Sequence, residues 1–189
     1  RDLWKGLGLA GYLQLFGDAQ SYEYESDDQD IDARVQHLTP SLGATRAFGD
    51  GAWTVSALVG PQLQWKREEG FLNGSRRDFD VGVFAQAETL YWQKTHSLQG
   101  IASYASLDDF FFGRARGKLL AWSPDTGCCS LFAGLDVAGM GNRDFRALQT
   151  GPLLEVPIGR YFVLGRGGYQ LDSNFGSGAY SGLEIYAPF

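Results

Sequence analysis

Charged side chains at alternate positions are the groups in this chain with the clearest chemical potential. Arg114, Arg116 and Lys118 occupy every second position of one segment. Because successive residues of a strand point to opposite faces, these three side chains would form a single column. Five further charges lie in other segments that alternate in the same way. The full set is Glu88, Arg114, Arg116, Lys118, Asp136, Glu155, Arg166 and Glu184.

Two kinds of chemistry would use such a set. A column of bases could guide an anionic or polyhydroxylated solute through a pore. Alternatively, the charges could neutralise one another in an interior network, because desolvated ions persist only when they are paired. The set contains four acids and four bases. This balance favours the network over the pore.

Other candidate groups are less well supported. His96 and Ser97 are the residue types of a nucleophile–base pair, yet neighbours on a strand face opposite sides and could not form one. The vicinal Cys128 and Cys129 could form only a strained disulfide, so they say little about redox environment. The acidic segment Glu25–Asp30 could bind divalent cations, although a solvated loop is favoured. No metal-ligand cluster or nucleophile elbow is recognisable, and we predict no catalytic residue, metal site or cofactor.

The elements that position the charges are strands, and the clearest strand lies between Trp53 and Trp65. Every second residue between these tryptophans is uncharged and mostly apolar, whereas the interleaved residues are mostly small or polar. A strand tilted near 45° and rising about 3.3 Å per residue covers roughly 25–30 Å over this length. That height matches bilayer hydrocarbon, and indole rings favour its two boundaries. The pattern therefore predicts a transmembrane strand with its apolar face towards lipid.

Other segments repeat this arrangement. Phe79 and Tyr91 enclose a second alternating strand, and a third carries Tyr161 and Tyr169. The predicted lipid-facing aromatic girdle consists of Trp53, Trp65, Phe79, Tyr91, Tyr161 and Tyr169. The glycines of Gly165–Gly168 lie within such a strand, which indicates close approach of neighbouring backbones.

Turn signals divide residues 1–189 into ten predicted strands of one domain. They are Gly6–Tyr24, Ile31–Phe48, Trp53–Lys66, Phe79–Tyr91, His96–Ser106, Phe110–Trp122, Cys129–Ala138, Phe145–Ile158, Tyr161–Gln170 and Tyr180–Phe189. Short links are expected to alternate with links that are longer or more polar, as in outer-membrane barrels. Glu25–Asp30 and Arg67–Arg77 belong to this second set, and Leu107–Asp109 is its short member. The prediction is an all-β, up-and-down antiparallel transmembrane β-barrel of about ten strands, with twelve as the alternative.

Composition supports a barrel and limits the partners. Glycine is abundant (26 of 189 residues) and aromatic residues make up 14%, while the mean hydropathy is only −0.21. A barrel conceals its apolar character in alternate residues, so its mean hydropathy stays low. No apolar run is long enough for a membrane-spanning helix. The net charge of −6 argues against nucleic acid as a partner.

Several glycine-rich segments resemble the cellulose biosynthesis protein BcsS family of proteobacteria. These segments are Leu131–Leu135, Gly141–Arg146, Gly151-Pro152, Arg166–Tyr169 and Gly176–Gly182. Their order, with a Gly-Asn-Xaa-Asp-aromatic loop before a Gly-Ser-Gly-Ala-Tyr hairpin, is similar to that family over the carboxy-terminal two-thirds of the chain. The resemblance implies an outer-membrane barrel linked to exopolysaccharide secretion, with no established catalytic residues.

We therefore expect a non-enzymatic barrel of a Gram-negative outer membrane, accessory to exopolysaccharide secretion or to a cell-surface assembly. Its expected partners are membrane lipid and lipopolysaccharide, with polysaccharide or other protein subunits at the extracellular loops as further candidates. Two alternatives stay open. One is an outer-membrane hydrolase that modifies lipid A, and the other is a structural anchor for an extracellular complex.

Overall fold

The computed structural model describes residues 8–26, 29–70, 74–107, 109–124, 130–174 and 176–186. This part of the chain consists of ten strands joined by turns. The strands are β1 (Leu9–Ser26), β2 (Gln29–Phe48), β3 (Trp53–Gly70), β4 (Gly74–Trp92), β5 (His96–Ala105), β6 (Phe110–Trp122), β7 (Leu131–Gly141), β8 (Arg146–Ile158), β9 (Tyr161–Asp172) and β10 (Gly176–Tyr186). Within the described residues, no helix has the length and apolar character needed to cross a bilayer.

The ten strands form one sheet in which sequence order and spatial order coincide. Neighbours run from β1 to β10 without a crossover, and the strand pairs are antiparallel. Most links between strands are four residues or fewer, and such short links can join only antiparallel neighbours. The predicted fold class, an all-β up-and-down antiparallel sheet of about ten strands, is confirmed.

The sheet curls strongly, so that distant strands meet across its concave side. Trp92 on β4 and Phe162 on β9 are five strands apart, yet their ring centroids are 6.2 Å apart. In a flat sheet, five strand spacings would separate them by roughly 24 Å. Trp92 also lies 5.8 Å from the ring of Phe132 on β7. The curvature gives the sheet a barrel-like shape with distinct inner and outer faces.

Apolar side chains cover the outer face. Trp53, Val59 and Trp65 on β3 are 43%, 55% and 42% exposed. Trp53 lies opposite Tyr91, with ring centroids 4.7 Å apart, and Trp65 lies opposite Phe79 at 5.4 Å. Tyr161 and Tyr169 on β9 also point outwards and are exposed. All six residues predicted for the aromatic girdle therefore lie on the convex side of the sheet.

The predicted loops Glu25–Asp30 and Arg67–Arg77 are wrong, because strands occupy most of both segments. The ladder of β1 and β2 continues to Ser26 opposite Gln29, and that of β3 and β4 continues to Gly70 opposite Gly74. The charges in these segments led to the prediction of loops. Strand pairing uses backbone groups, however, and exposed charged side chains do not interrupt it.

The predicted difference in length between the two sets of links is also wrong. The links following β1, β3, β5, β7 and β9, expected to be longer or more polar than the others, span only two to four residues. The longest link, 123–130, joins β6 to β7 at the end where short turns were expected. Among the predicted boundaries, β7 begins at Leu131 rather than Cys129, and β10 begins at Gly176 rather than Tyr180. Cys128, Cys129 and Phe189 lie outside the described residues.

The backbones of β8 and β9 approach each other closely at glycine positions, as the glycines of Gly165–Gly168 predict. A Cβ atom on Gly168 would lie 2.1 Å from the Thr150 carbonyl oxygen, and one on Gly151 would lie 2.1 Å from the Gly167 carbonyl oxygen. Real Cβ atoms do not approach so closely. By contrast, a Cβ on Gly165 of the same strand would meet nothing within 4 Å. The prediction of close backbone approach is confirmed for this strand pair.

Gly168→Ala should therefore destabilise the fold while Gly165→Ala should not. The added methyl of Gly168→Ala forces β8 and β9 apart, and overpacking of this kind costs about 1–3 kcal/mol. Chemical denaturation in detergent micelles, followed by tryptophan fluorescence, measures both variants against the parent. Equal midpoints for the two variants would contradict this account of the crowding.

Candidate functional site inside the curved sheet

Strand β6 positions the column of bases that the sequence predicts. Phe111 and Leu119 are exposed on its outer face. Arg114, Arg116 and Lys118 occupy the interleaved positions of the strand and therefore point inwards. The Arg116 and Lys118 side chains are only 7% and 8% exposed. Buried charges of this kind need partners, and each of the three has them on other strands.

The inward-facing charges form two clusters. The first, called the upper cluster, joins the guanidinium groups of three arginines to the carboxylates of Asp136 and Glu184. Arg116 Nε donates to Asp136 Oδ2 at 3.1 Å, and its Nη2 donates to Glu184 Oε1 at 2.5 Å. Arg114 is 3.4 Å from Asp136 and 3.3 Å from Glu184. Arg166 lies 3.5 Å from Asp136 and 3.4 Å from Glu184. Four strands, β6, β7, β9 and β10, therefore meet through one ionic cluster.

In the upper cluster, three buried donor atoms but only one buried acceptor atom, Asp136 Oδ1, lack a hydrogen-bond partner among the described residues. The Nε atom of Arg114 and the Nε and Nη1 atoms of Arg166 are buried and have no hydrogen-bond acceptor among the described residues. The contacts of these three atoms with Asp136 and Glu184 are ion pairs of 3.4–3.5 Å without hydrogen-bond geometry. Three bases against two acids leave one positive charge in excess. The arrangement therefore suits an oxygen-rich group, such as water, a hydroxyl or an anion.

A lower cluster combines one ion pair with aromatic rings. Lys118 Nζ donates to Glu155 Oε2 at 2.6 Å, and the Tyr186 hydroxyl donates to the same oxygen at 2.5 Å. The Lys118 ammonium also lies 5.3 Å from the centre of the Trp92 ring. Phe162 stacks on Tyr186, with ring centroids 5.2 Å apart. Aromatic and ionic contacts thus close the interior at this level.

Seven of the eight predicted interior charges belong to these two clusters, and Glu88 is the exception. Glu88 also points inwards, and it accepts a hydrogen bond of 2.7 Å from Gln99 Nε2 on the neighbouring strand. The prediction named the charges but missed Gln99 and the interior aromatic residues Trp92, Phe162 and Tyr186. The sequence contains a signal for two of these rings. Trp92 is four positions from Glu88 and Tyr186 is two positions from Glu184, so each ring lies on the same strand face as a predicted interior charge.

A cavity of about 740 Å³ lies beside the clusters. Leu90, Trp92, Ile101 and Phe162 form an apolar wall, and the polar wall carries the three bases of β6 together with Gln99 and Glu184. The interior is therefore partly filled rather than empty. Its chemistry is that of binding and charge neutralisation.

The other candidate groups do not assemble into a catalytic or metal site. Ser97 is buried on the inner face, whereas the His96 ring contacts Tyr91 on the outer side, with centroids 5.5 Å apart. The two side chains thus leave opposite faces of β5. Within the described ranges, no group of three or more potential metal ligands is found. The side chains of Glu25–Asp30 lie outside the described part of the structure.

Comparison of the chain with protein-family models, with curated proteins and with solved structures gives no match. The resemblance to the BcsS family therefore stays a prediction that depends on the glycine-rich segments alone.

Removing one partner of the buried Lys118–Glu155 pair should be far more damaging than removing both. Glu155→Leu leaves an unpaired ammonium in the interior, which costs about 3–5 kcal/mol, whereas Lys118→Met with Glu155→Leu restores most of that loss. Unfolding free energies in micelles measure the single and double variants. The exposed Arg143–Asp109 pair, with atoms 3.2 Å apart, is the control; Arg143→Gln should lose less than about 1 kcal/mol, and Asp109 is kept because it also accepts a hydrogen bond from Tyr104. Similar losses at both pairs would refute a buried network.

Proposed function

We propose that this chain is a β-barrel of a Gram-negative outer membrane, without enzymatic activity. The observation that carries the proposal is the orientation of its side chains. Apolar residues such as Leu13, Leu135 and Leu183 are 81%, 65% and 69% exposed on the convex face, while Asp136 and Glu155 are buried inside. Soluble proteins rarely expose apolar areas that extend around a whole fold. A lipid environment removes this cost.

The height of the apolar band supports the same proposal. Between the Trp53–Tyr91 pair and the Trp65–Phe79 pair, the outer positions of β3 and β4 carry no charge. Twelve residues along a tilted strand give a band of roughly 28 Å, close to the thickness of bilayer hydrocarbon. In addition, the start of β1 and the end of β10 lie at the same end of the sheet, because the number of strands is even. Outer-membrane barrels place that end in the periplasm.

The proposed role is that of an accessory component of exopolysaccharide secretion or of a cell-surface assembly. The glycine-rich segments that resemble the BcsS family support the link to polysaccharide. Membrane lipid and lipopolysaccharide are the proposed partners along the outer face. Polysaccharide or other protein subunits would bind at the extracellular end. A role as lipid-A hydrolase has no support, since His96 and Ser97 point to opposite sides of β5.

A second candidate role is a structural anchor for an extracellular complex. Strands β3 and β4 continue five residues beyond the aromatic pair, from Trp65 to Gly70 and from Phe79 to Gly74. This extension is charged and is stabilised by ion pairs such as Arg76–Asp78 and Arg67–Glu69. A paired extension that stands above the membrane surface offers a rigid platform for another molecule.

The orientation of the tryptophans provides a direct test of the membrane proposal. In liposomes, variants that retain only Trp53 or only Trp65 should be quenched strongly by lipids brominated near the headgroup and weakly by lipids brominated near the chain terminus. A variant that retains only Trp92 should resist both lipids, because that ring lies inside. Fluorescence quenching, together with heat-modifiable gel mobility, is the measurement. A monomer soluble without detergent would disprove the membrane proposal.

The partly filled interior should also make the protein electrically silent. The ionic clusters and the aromatic rings beneath them obstruct the path along β6, so no stable conductance is expected in planar bilayers. A general porin measured in the same bilayer serves as the positive control. Reproducible single-channel steps from the purified protein would favour a pore and contradict the expected obstruction.

A further inference from the structure

Three arginines form a row across the outer face of the sheet. Arg34 on β2 lies directly opposite Arg67 on β3, which in turn lies directly opposite Arg77 on β4. The row is on the outer face, because Arg67 is two residues from the exposed Trp65 and Arg77 is two residues from the exposed Phe79. Residues two positions apart on a strand share a face.

The row concentrates positive charge that the protein itself only partly neutralises. Side chains directly opposite on neighbouring strands have Cβ atoms about 4.5–5.5 Å apart, and like charges so placed are destabilising. Arg67 forms an ion pair with Glu69. Among the described residues, no ion pair involves Arg34 or Arg77. Asp32 and Glu69 lie opposite each other on the outer face in the next row, farther from the Trp65–Phe79 pair. Of these two rows, the arginine row is therefore the one nearer to the apolar band.

The position of the row points to the ligand. It lies immediately beyond the Trp65–Phe79 pair, which marks the edge of the apolar band. On the membrane side of the row, the outer positions of β3 and β4 carry no charge as far as the Trp53–Tyr91 pair, and the polar Gln36 of β2 lies opposite Trp65. A ligand that contacts both zones needs an anionic group and acyl chains. Guanidinium groups bind phosphate through paired hydrogen bonds, and lipid phosphates lie at this height.

We propose that Arg34, Arg67 and Arg77 form a binding site for the phosphate groups of lipopolysaccharide. The inference rests on the proposed function, since it requires that the outer face contacts lipid. The row lies at the end of the sheet opposite to the start of β1 and the end of β10. With those ends in the periplasm, the row faces the outer leaflet, which contains the phosphorylated glycolipid. A phosphate shared among the arginines removes their mutual repulsion.

The test measures lipid binding by the purified protein in detergent, using native mass spectrometry. The probes are bisphosphorylated lipid A, the same lipid without phosphates, and phosphatidylglycerol. The test variant is Arg34→Gln with Arg67→Gln and Arg77→Gln. The control variant, Arg46→Gln with Lys94→Gln and Arg160→Gln, removes the same charge near the opposite end of the barrel, beside Phe48 and Tyr161.

The parent and the control variant should bind bisphosphorylated lipid A more tightly than either other lipid. Each arginine exchange should weaken this binding roughly fivefold, and the triple exchange on the order of 100-fold. Equal binding by the parent and the triple variant would overturn the proposal, as would equal binding of the dephosphorylated lipid. Displacement by millimolar inorganic phosphate would overturn the assignment to a lipid.

Failure of this site is distinguishable from failure of the proposed function. The triple variant should still insert into liposomes and keep its heat-modifiable mobility, because the exchanged side chains lie outside the apolar band and the interior. A protein that inserts but does not discriminate among the lipids would overturn only the arginine site. A protein that does not insert would overturn the membrane proposal itself.

Discussion

The structure depends on one constraint: charged side chains at the height of the apolar band are stable when they face inwards and meet ionic or hydrogen-bonding partners there. The cost of an unpaired charge in an apolar medium is several kcal/mol even after relaxation. Arg116 meets this requirement with Asp136 and Glu184, and Lys118 meets it with Glu155. Because these charges occupy the inner face of β4 and of β6 to β10, the outer face of those strands is left to apolar residues.

The same constraint ties strand register to charge pairing. A shift of one residue would turn every side chain of a strand to the opposite face. On β6, such a shift would place Arg114 and Arg116 outside and Leu119 inside. The ion pairs that span β6, β7, β9 and β10 therefore favour a single register and also hold the curvature of the sheet. Close backbone contacts, such as Gly168 against Thr150, act in the same direction by allowing neighbouring strands to approach.

The sequence predicts the apolar band of the sheet better than it predicts the ends of the sheet. Alternation placed the girdle residues on one face, and the structure has them there. The loops predicted at Glu25–Asp30 and Arg67–Arg77 are wrong, because charged side chains do not by themselves make a backbone irregular. In fact hairpin pairing continues wherever the two backbones stay in register, whatever the side chains. The proposed link to exopolysaccharide depends on a resemblance in glycine-rich segments, and no physical pattern in the strands supplies it.

The sequence by itself determined the strand period, the separation of apolar and charged side chains onto opposite faces of the strands, and the balance of acids and bases. These are local properties, and neighbouring residues suffice to reveal them. Only the tertiary structure decided which charges meet, because Arg116 and Glu184 are 68 positions apart in the chain. It likewise decided that Trp92 closes the interior and that Arg34, Arg67 and Arg77 stand in one row. Such contacts depend on strand register and on the curling of the sheet, and no local pattern of residues encodes either.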